Sequence, residues 1–183
     1  MNETMNADKT AQKTSDKRML TGMFEDRESV ERAYSSMHDR GYTKDDINLV
    51  MSDETRKKHF SKGETEVGTK AMEGAGTGSA IGGTVGAIAG AIAAIGTSLL
   101  IPGLGLVIAG PLAAALAGAG AGAATGGLIG ALVGSGMPEE RARLYNDGVK
   151  DGKIVMGVNT RNDEDAKFFA EDWQKNKGRD IYN

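Results

Sequence analysis

GAGTGSAIGGTVGAIAG (residues 74–90) and GAGAGAATGGLIGALVG (residues 118–134) decide how this chain is read. In the first, Gly74, Gly78, Gly82, Gly86 and Gly90 recur every four residues; in the second, Gly118, Gly122, Gly126, Gly130 and Gly134 do the same. On a helix the i±4 row is a ridge, and glycine turns that ridge into a groove where another backbone can approach closely. These ten glycines are the predicted helix-packing residues. Between the runs stand Pro102, Gly103 and Gly105, then Pro111. They predict a turn that breaks one helix near residue 101 and starts another at 111, giving an antiparallel glycine-zipper hairpin with helices near 78–101 and 111–136.

The surroundings of the two runs set their environment. Gly74 to Pro138 is 65 residues without Asp, Glu, Lys, Arg or His, and it holds 19 of the chain's 27 glycines. A helix with no polar face needs cover on all sides. Each predicted helix is also long enough to span a bilayer. Glycine is a poor helix former in water, costing about 1 kcal/mol relative to alanine, so hydrocarbon, which forces internal hydrogen bonding, suits such a helix better. The balance favours a transmembrane hairpin, with the lipid bilayer and further copies of the chain as partners. Ile81, Val85 and Ile88 would press into the smooth stretch Ala117 to Gly127. The alternative is a soluble oligomeric scaffold or regulatory binding module, cytoplasmic, whose hairpins pack together in water.

On either side the pattern changes. Met19, Thr21 and Met23 alternate with Leu20, Gly22 and Phe24, a strand. Asp26 is placed to cap a helix whose Val30, Ala33, Tyr34 and Met37 share one face, with Gly41 just beyond its end. Ile47 to Ser52 is a second strand. Beyond the block, Pro138 opens a helix to about Lys150, Lys153 to Asn159 is a strand, and Asp163 caps a helix with Ala166, Phe169, Ala170 and Trp173 inside. Gly178 ends that helix, and Asp180 to Tyr182 is a short edge strand. Residues 18–52 and 137–183 therefore predict an α+β domain in two halves, a ferredoxin-like sandwich interrupted by the hairpin at 74–136. Residues 53–73 read as a polar linker or exposed helical lead-in, and residues 1–17 as a disordered polar tail without a secretory signal. The expected placement is the bacterial inner membrane with the α+β domain facing the cytoplasm.

Chemistry is sparse. The net charge of −3 gives no basic field for nucleic acid, and there are no cysteines for thiolate sites. The glycine period explains the letter match of Gly118, Gly120 and Ala123 to a dinucleotide fingerprint, and no strand precedes it. His38 and His59 stand apart, in no triad or metal spacing. The acidic pairs at 45–46, 139–140 and 163–164 sit where caps belong. Trp173 with Phe168 and Phe169 reads as core packing. The expectation is no catalytic residue, cofactor, metal or small-molecule substrate.

The segment MLTGMFEDRES (residues 19–29) with Gly41, Tyr42, Asp45, Asp46 and Ile47 resembles the bacterial general stress protein 17M-like (heat-induced stress protein) domain. IPGLG (101–105), GPLAAALAG (110–118), the stretch from Gly134 to Glu140, and Gly148 to Lys150 resemble glycine-zipper stress proteins that share it. The resemblance implies a stress-induced bacterial protein with no catalytic residues to carry over. The longer polar N-terminus departs from that pattern.

Overall fold

The computed structural model describes residues 19–60, 99–101, 105–118 and 121–183. Strands run at Met19–Phe24 (β1), Ile47–Ser52 (β2), Leu99–Ile101 (β3), Leu106–Ala109 (β4), Ile154–Asn159 (β5) and Arg179–Tyr182 (β6). Helices run at Arg27–Asp39 (α1), Asp53–Phe60 (α2), Pro111–Gly118 (α3), Ala121–Gly134 (α4), Glu139–Lys150 (α5) and Asp163–Lys175 (α6). The strands form one sheet in the order β3-β4-β2-β5-β1-β6, antiparallel at every pairing. The architecture is mixed α+β.

The sheet is covered on both faces, and the pleat sorts its side chains between two cores. Leu20 and Phe24 of β1, Ile47, Leu49 and Met51 of β2, and Ile154, Met156 and Val158 of β5 meet α1 and α6 on one side. Met23, Val50, Val155, Leu106 and Ile108 meet α3, α4 and α5 on the other. The helix ends follow local chemistry. Asp26 Oδ1 accepts the Ser29 amide at 2.8 Å and caps α1. Gly41, at φ +78°, ends α1 with the Tyr42 amide returning to the Met37 carbonyl at 3.1 Å. Gly152 does the same for α5, and Gly136 for α4.

Several expectations are corrected here. The predicted hairpin turn is flanked by strands, although a helix does start at Pro111. Residues 99–101, placed at the end of the first long helix, form strand β3 paired with β4. Short apolar runs read equally as strand or buried helix, and β2 offers an open edge that Leu106 to Ala109 occupy. The second long helix is two short ones, of 8 and 14 residues, and α4 is itself broken at Gly127, whose φ of 56° and ψ of −151° are non-helical. At 1.5 Å per residue, 14 residues fall well short of a hydrocarbon core of about 30 Å. Among the described residues no helix is long and apolar enough to cross a membrane. The transmembrane helical hairpin, and the inner-membrane placement built on it, therefore lose their support. The second face of the sheet covers one side of α3 and α4, burying Leu112, Ala113, Leu128, Ala131 and Leu132. Residues 61–98, which hold the first glycine run, lie outside the described residues, as do 1–18, 102–104 and 119–120.

Smaller differences concern caps and the linker. Asn162, not Asp163, caps α6, its Oδ1 accepting the Asp165 amide at 2.7 Å. Lys177, at φ +64°, takes the left-handed position after α6, one residue before Gly178. Pro138 stands at the N-cap of α5 rather than inside its first turn. Residues 53–60 form α2, the helical alternative for that segment, with Phe60 buried rather than exposed.

Candidate functional site

Thr21, Gly157 and Asn48 lie side by side in register across β1, β5 and β2. All three face the layer made by α3, α4 and α5. Both outer members of this row are buried polar residues that bind a helix of that layer. Asn48 Oδ1 accepts the backbone amide of Leu112 at 2.7 Å, which satisfies an otherwise orphan donor in the first turn of α3. The Tyr145 hydroxyl, from α5, donates to the Asp180 carbonyl at 2.7 Å, and its oxygen accepts from Thr21 Oγ1 at 2.9 Å. Burial pushes Tyr145 up to about 12. Gly110, at φ +95°, brings the chain into α3 so close to β2 that a Cβ there would collide with the Ile47 carbonyl oxygen. These contacts fix the outer layer on the sheet.

On α4 the fixed layer carries the second glycine run. Leu128, Ala131 and Leu132 are buried against the sheet. Gly126, Gly130 and Gly134 are exposed, and a Cβ added at any of them would meet nothing within 4 Å among the described residues. Val133, 41% exposed, stands beside them. Gly126, Gly130 and Gly134 thus present bare backbone on α4, and the sequence has no charged residue from Ala121 to Met137. The kink at Gly127 separates Gly126 from the straight segment holding Gly130 and Gly134. Gly118 and Gly122 fall within α3 and α4. Pro111 is the first residue of α3, as a helix-starting proline should be. Gly105, at φ +59°, precedes β4, while Pro102 and Gly103 lie outside the described residues, as do Gly74, Gly78, Gly82, Gly86 and Gly90.

Two other regions were legible only in part. An open cleft of about 470 Å³ lies between α2 and the turn after α5, lined by Lys58, Lys150, Lys153, Glu25, Glu54 and Asp151 with His59 at its side. Three lysines against three carboxylates give no net field for a ligand of either sign. At the other end of the sheet, the Tyr42 hydroxyl donates to Asp165 Oδ2 at 2.7 Å and accepts the Arg161 amide at 2.9 Å. Arg40 there pairs with Asp165 at 2.6 Å and lies 3.7 Å from the centre of the Phe168 ring. Trp173 is fully buried, edge-on to Phe24 at 5.6 Å, as core packing requires. Among the described residues no cluster of three His, Asp or Glu is placed to hold a metal ion. Comparison with family models, curated proteins and solved structures finds no match for the chain.

Proposed function

We propose that this chain is a non-enzymatic, self-associating scaffold or binding module, acting in the cytoplasm. Its docking surface is the bare ridge of α4. The observation that carries this is the exposure of Gly126, Gly130 and Gly134. Each helical glycine costs about 1 kcal/mol relative to alanine. A surface that met only water would be more stable with alanine, lysine or glutamate there. Bare backbone is worth that cost when a second backbone packs on it. The occupant we assign is a second copy of the chain, because the sequence itself supplies uncharged runs with the same four-residue glycine spacing. We further read β2, β5, β1 and β6, with α1 and α6, as a ferredoxin-like unit, extended at the β2 edge by β3 and β4. The general stress protein 17M-like family remains the family we propose for it.

Sedimentation of the full chain without detergent tests the assignment. A defined oligomer is expected, with Gly130→Leu shifting it towards monomer while circular dichroism stays unchanged. A wild-type chain that stays monomeric at all concentrations, or an oligomer indifferent to leucine at 130, overturns it.

A further inference from the structure

Six methionines lie among the described residues, and five of them, Met23, Met37, Met51, Met137 and Met156, are buried. Met19 is the exception. It is half-buried at the start of β1, packed on the core beneath α3 to α5. Its side chain lies over Gly157, where its sulfur is 3.4 Å and its Cγ 3.5 Å from the position a Cβ would take. The missing side chain lets Met19 reach across β5 to β2. There its sulfur accepts a hydrogen bond from Asn48 Nδ2 at 3.7 Å. The other end of the same carboxamide holds the Leu112 amide at 2.7 Å. The thioether of the one described methionine that is partly exposed is thus one side chain away from the contact that starts α3.

We infer that Met19 is an oxidation site, and that its sulfoxide releases the Asn48 clamp on α3. In the step, the thioether sulfur gives an electron pair to one oxygen of hydrogen peroxide. The S–O bond forms as the O–O bond breaks, and the remaining oxygen leaves as water with both protons. Sulfur is oxidised by two electrons and the peroxide reduced by two. Sulfoxide reduction by a reductase with a dithiol reverses it, yielding the thioether, a disulfide and water. The product is polar and carries a strong acceptor oxygen where the thioether carried a weak one. The oxygen adds bulk and polarity beside Gly157, where the sulfur already lies 3.4 Å from the Cβ position. Met19 leaves for water, Asn48 Nδ2 loses its partner, and the carboxamide turns away from Leu112.

Peroxide treatment of the full chain, followed by peptide mass mapping and hydrogen exchange, tests this. Met19 is expected to oxidise about tenfold faster than the five buried methionines. Exchange in the peptide containing Leu112 is expected to rise roughly fivefold, the loss of one hydrogen bond, and to return after sulfoxide reductase treatment. Met19→Leu, close in volume and inert to peroxide, is expected to show no rise. Oxidation of Met19 no faster than the buried methionines overturns the inference. So does a sulfoxide that leaves Leu112 exchange unchanged, an equal response in the leucine variant, or a rise spread evenly over all strands.

Discussion

Asn48, in the middle of the sheet, holds the first-turn amide of Leu112 at 2.7 Å, although 64 residues separate them. A β2 side chain therefore does the work of a helix cap for a helix that has none of its own nearby. Asn48→Ala leaves a buried donor unsatisfied and is expected to cost about 1–3 kcal/mol. Urea unfolding followed by tryptophan fluorescence, reporting on the buried Trp173, measures it.

Two glycines in the same uncharged block are expected to respond with opposite signs. Gly130→Ala adds a methyl group into space that is open in the single chain, and at concentrations below oligomer formation it should stabilise the domain by about 1 kcal/mol. Gly110→Ala puts a side chain at φ +95° against the Ile47 carbonyl. Its expected cost is on the order of 3–5 kcal/mol, from backbone strain and forced repacking. Thermal melts of the two variants side by side separate the cases.

Tyr145 makes the domain sensitive to alkali. Its folded pKa is raised from the ordinary 10.0 to about 12, because burial disfavours the phenolate. A raised folded value means the contribution is complete below pH 10 and disappears as the pH climbs from 10 to about 12. The expected loss over that window is roughly 2–3 kcal/mol. Tyr145→Phe should flatten the alkaline limb while lowering stability at pH 7, because Thr21 and the Asp180 carbonyl lose a partner. Denaturant midpoints at pH 8, 10 and 11.5 check both.

Acid acts at the opposite end of the sheet. Burial pushes Asp165 up, but hydrogen bonds from Tyr42 and Arg40 outweigh it and hold the carboxyl below its ordinary 3.8. A lowered folded value means stability is present above that pH and is lost as pH falls through the folded pKa. Asp165→Asn is expected to remove this part of the acid limb, shifting the acid midpoint of unfolding measured by circular dichroism.

Regular periodicity made the outer elements legible. Val30, Ala33, Tyr34 and Met37 mark one face of α1, and alternation marks β1, β2 and β5, because each buries one face or both in a fixed period. The uncharged block had no such contrast. Leu106 to Ala109 carry apolar side chains to both cores, so they show neither alternation nor a helical stripe. Without polar residues to mark a solvent side, length and glycine spacing pointed to long helices, and the kink at Gly127 leaves no trace in letters. The ridge at Gly126, Gly130 and Gly134 was visible as a pattern, but its outward direction depends on Leu128, Ala131 and Leu132 finding the sheet. Asn48 and Thr21 were unremarkable polar residues in strands; only the placement of helices from far along the chain gives them a task.

The position of β1 has a consequence for how the molecule is made. Met19 pairs with Asn159, and the other edge of β1 pairs with β6 at the end of the chain. Both neighbours emerge from the ribosome at least 130 residues after β1 itself. At elongation rates of about 5–20 residues per second that interval is on the order of ten seconds. Throughout it β1 has neither of these partners, and the whole glycine-rich block is synthesised before β5 can join β1 to β2. Nascent chains stalled before residue 154 should therefore bind chaperones that the finished protein does not.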